Sequence, residues 1–591
     1  MTVFSRLDAP ADMASRPTIA MTLLQCAAVF LFALAVRLYG LAEAPLHFDE
    51  YYHVFAAHGW NEEGRLAILA GEYHRTALYT QFVAVAQQLL GDTLAAARFP
   101  SALFGAALTA GVFLWVRMEA SWLAAWLAGL LVAISPDLIA ISQMVRFYAP
   151  HGLLVLVAAV CGYMLTVRWA VLGIAAKALL AVAILVSLVI AAYLQPTTVI
   201  AAAGIAGGAA ICIAIALGWQ LPQSRNARIL LLLLIVGGIV GFGILYAAGV
   251  LQPLWTEFRS AALWNAENRN AVAYYHWHMK GSFGPIWLLF PIAIVCAATR
   301  APRLTVFCTA LFAVAFILHS LAGMKNLRYI AWALPFFFIV WALAIPVMVE
   351  WVYRQARMAA ERALGLPENR FGGIFQHLVA GGVVALAVLA VTVDFSKPWR
   401  SMGEVANAFV ATDERAANAK SHAAWQQVRA IVADRLAAGA IVATPNEFLA
   451  LHHLGRADVV ISRSRLLEGP KPVDFTRDHR TGIPVISTTE SMLAVMACTE
   501  QGLVVVDQGH FPVAHTVTAD MAAELTRRTT RVTPIESLVH VFAWDSPVPT
   551  SGVDCTAVKT GPGVAPTLPP ALVASEPGAT GAVHAAIRGV E

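Results

Sequence analysis

The chain has 591 residues, of which 59% are hydrophobic and 13% are charged, and its formal net charge is +4. Soluble domains carry about 25% charged residues, so this composition excludes an ordinary soluble protein and indicates a membrane protein. The small net charge and the lack of a dense basic segment exclude nucleic acid as the expected partner.

The first apolar run covers residues 19–41, which is too long for the apolar core of a cleavable signal peptide and predicts a membrane anchor. The polar segment that follows, residues 42–98, is predicted to be the first extracytoplasmic loop. Inside it, the apolar stretch 77–90 is interrupted by glutamines and is shorter than the ~20 residues that a span needs. We therefore predict an amphipathic helix that lies at the membrane interface.

Further apolar runs of spanning length follow, and each predicts a transmembrane helix. They cover residues 99–116, 122–141, 151–167, 176–193, 198–217, 229–250, 285–298, 304–321, 329–348 and 378–393. Together with the first run they predict a polytopic α-helical membrane protein with about 11 transmembrane helices in residues 1–393.

The positions of lysine and arginine predict the orientation of these helices. With the N-terminus in the cytoplasm, the loops that carry Arg117, Arg168 and Arg300 fall inside. The loops that carry Asp49 and Lys325 then fall outside. We predict a multi-pass protein of the plasma (inner) membrane with its site on the extracytoplasmic face.

The composition changes after residue 393. Polar helical sequence, such as residues 423–437, alternates with short β-rich runs at 440–444, 458–462, 484–487 and 503–507. This alternation predicts a small extracytoplasmic α/β domain over residues 394–546. The Pro-, Gly-, Ala- and Thr-rich tail, residues 547–591, is predicted to lack a fixed structure. Cys498 and Cys555 lie in this polar part, where a disulfide between them is one alternative.

The first span is followed by Leu46-His47-Phe48-Asp49-Glu50-Tyr51-Tyr52-His53. Asp49 alone could be a solvated helix N-cap. Ionisable groups beside a membrane also mark functional sites, and Asp49 with Glu50 can supply a base and a second carboxylate that orients it or stabilises charge on a substrate.

Five cations lie at the outer ends of predicted spans, namely Arg37, Arg98, Arg146, Lys325 and Arg328. Each alone is compatible with a side chain that reaches back to the interface. Together with the two acids they predict a site that holds a phosphate beside a base. Such a site requires no metal, although the scattered histidines of the loops leave a divalent metal open.

These residues resemble a known family, the C-type (GT-C) membrane glycosyltransferases that use polyprenyl-phosphate sugar donors, of the protein O-mannosyltransferase and lipid A aminoarabinose transferase kind. The resemblance covers about residues 20–350. It is carried, in order, by Arg37, Phe48-Asp49-Glu50-Tyr51-Tyr52, Ala97-Arg98-Phe99-Pro100-Ser101-Ala102-Leu103, Ile134-Ser135-Pro136, Arg146, Lys325, Arg328-Tyr329 and Pro335.

The resemblance implies an inverting glycosyltransferase that moves a sugar to a lipid, glycan or protein acceptor on the extracytoplasmic face. It implies that Asp49 and Glu50 are catalytic. The expected donor-phosphate residues are Arg37, Arg98, Lys325 and Arg328. Further substrate contacts are expected from Tyr51, Tyr52, His74, Arg75, Arg146, Tyr275, His278 and Tyr329.

Two departures from the family concern the acceptor. Aminoarabinose transferases usually carry Lys-Pro-Pro before the interfacial helix, where this chain has His74-Arg75-Thr76, and this weakens an assignment to lipid A. The loop 251–283 takes the place of the acceptor-side loop, and its aromatic residues are also compatible with an interfacial belt.

Two other classes of function stay open at this stage. A transporter or flippase of a lipid-linked sugar would place charges along a path, but transporters often show two related halves, and the charges here gather at one face. An envelope-assembly scaffold would use the α/β domain to bind a partner.

Overall fold

The structure is a computed structural model that describes residues 18–220, single positions from 225 to 249, residues 251–364, 413–469 and 472–550, and single positions from 552 to 558. The predicted span 378–393, most of the predicted span 229–250 and the tail from residue 559 lie outside the described residues.

Helices dominate the chain up to residue 364. In chain order they are α1 (Ile19–Leu38), α2 (Phe48–Glu63), α3 (Ala77–Leu90), α4 (Leu94–Glu119), α5 (Trp122–Ile134), α6 (Pro136–Ser142), α7 (Tyr148–Val167), α8 (Ile174–Leu194), α9 (Thr198–Gln220), α10 (Leu251–Phe258), α11 (Tyr274–Leu288), α12 (Phe290–Ala298), α13 (Pro302–Leu321), α14 (Leu327–Ile330) and α15 (Leu334–Leu364). Strands β1 (Ala67–Ile68) and β2 (Gly71–Glu72) form a small hairpin between α2 and α3.

The described part contains seven helices that are long and apolar enough to cross a membrane, or up to nine if each of two bent helix pairs is one span. The bent pairs are α5–α6, with an angle of 59°, and α11–α12, with an angle of 46°. These nine correspond to nine of the predicted spans, and the other two fall mostly or wholly outside the described residues. The prediction of a polytopic helical membrane protein is confirmed.

Glycine lets α1, α4 and α6 approach closely beside the candidate site. A Cβ atom on Gly105 of α4 would lie 2.7 Å from Arg37 Nε and 2.9 Å from Ser142 Cβ. Small residues at such crossings are how membrane helices pack. Gly105 therefore makes room for the buried side chain of Arg37.

Helix α3 has the bounds that the sequence predicted for the interfacial helix. One face is buried through Tyr79 and Val83, whereas Phe82, Val85 and Leu89 on the other face are exposed. An exposed apolar face on a helix too short to span fits a helix that lies along the membrane surface.

The C-terminal part forms an α/β domain. Its helices are α16 (Asp413–Ala437), α17 (Glu447–Leu454), α18 (Arg463–Glu468), α19 (Thr489–Cys498) and α20 (Ala519–Arg528). Its strands are β3 (Ile441–Thr444), β4 (Val459–Ile461), β5 (Thr476–Arg477), β6 (Pro484–Ile486), β7 (Gly502–Asp507), β8 (Thr530–Arg531) and β9 (Val539–Trp544). The seven-stranded sheet has the order β5-β6-β4-β3-β7-β9-β8.

The four β-rich runs of the sequence analysis are the parallel centre of this sheet, β6-β4-β3-β7. The antiparallel strands β5, β8 and β9 complete the edges, and the sequence analysis missed them. Cys498 at the end of α19 forms a disulfide with Cys555. The predicted α/β architecture is confirmed.

This domain packs against the first loop of the membrane module. The ring of Phe448 on α17 lies 5.5 Å from that of Phe48 and 4.4 Å from that of Tyr52 on α2. Arg465 Nη2 donates to the hydroxyl of Tyr52 at 2.9 Å. The domain thus contacts the helix whose first turn carries the two predicted catalytic acids.

Candidate active site

The two acids lie in the first turn of α2 because the local sequence forms a helix N-terminus there. His47 is the N-cap, and its Nδ1 accepts from the backbone N–H of Asp49 at 3.2 Å. The carboxylate of Glu50 accepts from the backbone N–H of His47 at 2.7 Å, which completes a capping box. Carboxylates in the first turn are also favoured by the helix dipole.

Asp49 lies between two arginines. Arg328 Nη1 donates to Asp49 Oδ2 at 2.9 Å, and Arg146 Nη2 lies 3.7 Å from the same oxygen. Burial acts to raise the pKa of Asp49, but the charges of Arg146 and Arg328 outweigh it and hold the pKa well below its ordinary value. The side chain is nevertheless 30% exposed, so an ionised carboxylate is accessible from outside the fold.

Glu50 has a different environment. It is buried and accepts from Arg98 at 3.0 Å and 2.9 Å and from the backbone N–H of Val145 at 2.7 Å. Burial acts to raise the pKa of Glu50, and Arg98 and the other hydrogen bonds together lower it. The remaining N–H groups of Arg98 donate to the carbonyls of Leu41, Ala44 and Pro45. The pair joins the first loop to α4 and to the turn before α7.

Arg37 is fully buried and forms hydrogen bonds at the break between α5 and α6. Its guanidinium donates to the carbonyls of Val132 and Ala133, both at 3.3 Å, and to Ser142 Oγ at 3.2 Å. The carbonyl of Val132 would bond residue 136 in a continuous helix, but Pro136 has no N–H. Arg37 therefore satisfies carbonyls that the helix break leaves without partners.

Lys325 binds backbone carbonyls at the end of α13, as Arg37 does at the break between α5 and α6. Its Nζ donates to the carbonyls of Ser320 at 2.8 Å, of His319 at 3.3 Å and of Ala322. Burial, with a smaller effect from Arg259, lowers the pKa of Lys325 to about 8. The backbone of Lys325 forms two hydrogen bonds of 2.9 Å with the side chain of Asn265.

The predicted phosphate residues thus divide into two groups. Arg328 meets the carboxylate of Asp49, and Arg146, predicted as a weaker substrate contact, meets it as well. Arg37, Arg98 and Lys325 direct their donors to protein acceptors instead. Their direct contact with a phosphate stays a prediction.

Two tyrosines lie beside the arginine pair. The guanidinium groups of Arg146 and Arg328 lie 5.8 Å and 5.7 Å from the ring centre of Tyr148, a cation–π arrangement. Tyr329 is adjacent, with its ring 6.5 Å from that of Tyr148. Tyr148 was not singled out from the sequence, although it follows Arg146 by two residues.

The other predicted substrate residues are placed around this centre or away from it. Tyr51 and Tyr52 contact the C-terminal domain: the ring of Tyr51 stacks on that of Phe448, and the hydroxyl of Tyr52 accepts from Arg465. His74 pairs with Glu72 at 2.7 Å, and both His74 and Arg75 are exposed.

An open cavity of about 690 Å³ lies against the loop before α11. It is lined by Asn270, Ala271, Val272, Ala273, Tyr274, Trp277, His278 and Leu327. Leu327 directly precedes Arg328, so the cavity adjoins the segment that holds Asp49. The hydroxyl of Tyr275 donates to the backbone carbonyl of Asn326 at 2.9 Å and holds the two segments together.

His278 on the wall of this cavity lies 3.0 Å from the carboxylate of Asp137. Asp137 is in the first turn of α6, directly after Pro136. The sequence analysis missed it, although an acid inside a predicted span is a signal of function. It is a further candidate residue.

Among the described residues, the loop histidines do not come together as a set of three possible metal ligands, whereas three histidines of the C-terminal domain lie close together. The prediction that the reaction requires no metal stays a prediction.

No protein-family model matches the sequence. A search of curated proteins gives no match.

Solved structures do match the fold. The crystal structure of ArnT from Cupriavidus metallidurans bound to undecaprenyl phosphate aligns with a TM-score of 0.53 and 15% identity, over 90% of this chain and 100% of that chain. The apo state of the same protein gives 0.51 and 16%, over 89% and 98%. The oligosaccharyltransferase AglB from Archaeoglobus fulgidus, in complex with an inhibitory peptide and a dolichol-phosphate, gives 0.48 and 12%, over 89% and 75%. The likeness to ArnT confirms the predicted GT-C fold.

Proposed function

We propose that the chain is an inverting glycosyltransferase that takes a sugar from a polyprenyl-phosphate carrier and passes it to an acceptor on the extracytoplasmic face. The observation that carries the proposal is the accessible carboxylate of Asp49 between Arg328 and Arg146, next to an open cavity. It is supported by the shared fold with a protein crystallised with undecaprenyl phosphate.

Arg328 and Arg146 are the proposed phosphate ligands. Both guanidinium groups contact Asp49, and an arginine can bind a phosphate through two parallel hydrogen bonds, as it can a carboxylate. Arg146 Nε is buried and has no hydrogen-bond partner among the described residues. The two positive charges would also stabilise the negative charge that grows on the phosphate as the glycosidic bond breaks.

Donor binding is proposed to turn Asp49 into a base. While the arginines hold it, its low pKa makes it a poor proton acceptor. When the donor phosphate takes the arginines, the carboxylate loses its counter-charges and its pKa rises. Asp49 then accepts the proton of the acceptor hydroxyl as the hydroxyl oxygen attacks the anomeric carbon from the face opposite the phosphate.

Four other residues are proposed to position this centre. Glu50 and Arg98 fix the first turn of α2 against α4. Arg37 holds the bent pair α5–α6, and Lys325 holds the segment before Arg328. The arginines supply the positive charge of the reaction, so the proposed step uses no metal. The acceptor is proposed to approach through the cavity beside His278.

We propose the orientation in the membrane from the residues found at the two opposite ends of the membrane helices. The Asp49 end also holds the C-terminal domain, whose disulfide between Cys498 and Cys555 fits an oxidising compartment. The other ends of α4 and α7 meet through an ion pair between Glu119 and Arg168. A cysteine-accessibility label that reacts near Arg168 only from the outside would contradict this orientation.

The direct test is a transfer assay with purified protein in lipid nanodiscs. A panel of synthetic polyprenyl-phosphate sugars, each with radiolabelled sugar, is incubated with an extract of envelope lipids, glycans and proteins. We expect label in an acceptor for at least one donor. If the protein binds the carrier lipid but no donor gives a product, and the carrier instead crosses the bilayer of proteoliposomes, the proposal is wrong and the flippase class is correct.

A further inference from the structure

Three histidines of the C-terminal domain meet at the contact with the first loop. They are His422 on α16 and the adjacent residues His452 and His453 at the end of α17. All three are buried, with exposed fractions of 5%, 8% and 5%. One ring nitrogen of each lies within 4.8 Å of the corresponding nitrogens of the other two.

The hydrogen bonds of the cluster fix which nitrogens carry protons. His422 Nε2 lies 2.9 Å from the carbonyl of Leu46, which only accepts, so His422 Nε2 bears the hydrogen and donates. In the neutral ring, Nδ1 of His422 therefore has a lone pair, and His453 Nε2 lies 3.1 Å from it. His452 Nδ1 is buried, and no described residue forms a hydrogen bond with it.

The three rings lie in an apolar surrounding that disfavours a charged imidazolium. Neutral imidazole is the form that binds metal ions. Aromatic rings enclose the group, with Trp425 stacked on His453 and Tyr51 stacked on His422.

We propose that His422, His452 and His453 form a binding site for a divalent transition metal ion of the Zn²⁺ type, which fastens the C-terminal domain to the first loop. Zinc–nitrogen bonds of about 2.0–2.1 Å place two ligand nitrogens roughly 3.3 Å apart. The His422–His453 pair, at 3.1 Å, already has nearly this spacing. The other separations are at most 4.8 Å, so each must close by at most about 1.5 Å.

Metal binding replaces one hydrogen bond and releases no proton. The hydrogen of His453 moves from Nε2 to Nδ1 of the same ring, and the freed Nε2 lone pair joins the ion beside Nδ1 of His422. The bond from His422 Nε2–H to the carbonyl of Leu46 persists. A hydrogen bond from the second ring nitrogen to a backbone carbonyl is the usual way in which a metal-binding histidine is oriented.

If the three histidines served only to pack this contact, apolar side chains would stabilise it more. Burying an imidazole nitrogen without a hydrogen-bond partner is unfavourable, and His452 Nδ1 is such an atom among the described residues. The ion would give that ring a ligand role. Leu46 directly precedes His47, the N-cap of α2, so the ion would fix the point from which the helix with Asp49 begins.

The test measures zinc in the full-length protein, purified with a tag that contains no histidine. The protein is stripped with a chelator, dialysed against Zn²⁺, desalted and analysed for metal. We expect about one tightly held ion per wild-type chain, and its loss in His452→Gln and His453→Gln. His540→Gln changes a buried histidine of the same domain that lies outside the cluster, and it should keep the ion.

The same proteins give a second readout. Zn²⁺ should raise the thermal midpoint of the wild type and of His540→Gln by several degrees and leave the two cluster variants unchanged. A wild type that retains no Zn²⁺, or a His453→Gln variant that binds as much as the wild type, would overturn the proposal. If the variants do not fold, Co²⁺ titration of the stripped wild type decides: absence of the visible absorption of nitrogen-ligated, four-coordinate Co²⁺ overturns it.

Discussion

Asp49 and Glu50 are neighbours in sequence with opposite environments. The side chain of Asp49 is 30% exposed and contacts two arginines, whereas that of Glu50 is 1% exposed and contacts one. The two adjacent carboxylates therefore have different roles. Asp49 is accessible to a substrate, and Glu50 is fixed within the fold. The proposed mechanism depends on this difference.

Replacing Arg328 tests the phosphate role at the scale of a single residue. We expect Arg328→Gln to weaken binding of polyprenyl phosphate by about 10- to 100-fold, since a charge-assisted hydrogen bond contributes about 1.5–3 kcal/mol. The same change removes the positive charge next to the Asp49 carboxylate, so the pKa of Asp49 should rise. Binding is measured by titration with polyprenyl phosphate in nanodiscs. Arg527→Gln, on an exposed face of α20, is the control, and equal affinity in both variants would refute the assignment.

The sequence predicted the residue types of this centre better than their partners. The Asp-Glu pair and its arginines were visible because charged residues beside apolar runs stand out. The sequence did not show which cations contact Asp49 and which contact backbone carbonyls. That depends on the carbonyls that Pro136 and the end of α13 leave without partners. Those acceptors become apparent only when the helices are packed.

Helix packing around Arg37 can be tested at Gly105 of α4. A Cβ atom there would meet Arg37 Nε at 2.7 Å, so we expect Gly105→Ala to destabilise the protein by about 1–3 kcal/mol, as overpacking does. Gly152→Ala in α7 is the matched control, because its nearest contact would be an ordinary 3.7 Å. The thermal midpoints are compared in the same detergent, and an equal midpoint for both variants would contradict the packing described.

The pair of Glu50 and Arg98 predicts an acid dependence of stability. The pKa of folded Glu50 is lowered, so its contribution is complete above the unfolded pKa of about 4.3 and is lost as the pH falls through the folded value. Glu50→Gln should abolish this dependence. It should also cost about 3–5 kcal/mol at neutral pH, because Arg98 keeps a buried charge without its partner.

The measurement is the unfolding midpoint between about pH 3 and pH 7. Glu490→Gln, at an exposed position of α19, provides the comparison. A Glu50→Gln variant whose midpoint still falls with acid as steeply as that of the wild type would show that another group is responsible.

At the scale of the whole molecule, α17 joins the C-terminal domain to the first loop. Phe448 contacts four rings of α2, those of Phe48, Tyr51, Tyr52 and Phe55. We expect Phe448→Ala to cost about 3–5 kcal/mol and to speed hydrogen exchange in residues 42–76. Phe542→Ala removes a buried ring on β9 inside the domain instead; equal exchange in residues 42–76 for both variants would contradict a docking role.

The sequence predicted the architecture at this scale and left the docking unknown. Runs of β-branched residues identified the central strands, and apolar length identified the spans. The contact between Tyr52 and Arg465 joins residues 413 positions apart, and no local pattern encodes such a pairing. The histidine cluster was missed for the same reason, because His422 meets His452 and His453 only in the folded domain.

The central claim is that Asp49 is a base held inactive by the arginines that bind the donor. The measurement is a comparison of the wild type with Asp49→Asn and the control Asp520→Asn on α20, using titration with polyprenyl phosphate and sugar transfer under single-turnover conditions. The account predicts that Asp49→Asn binds polyprenyl phosphate at least as tightly as the wild type, because the arginines lose a competing carboxylate. Transfer should fall by about 10²- to 10⁴-fold. Transfer at the wild-type rate in a folded Asp49→Asn protein would contradict the account.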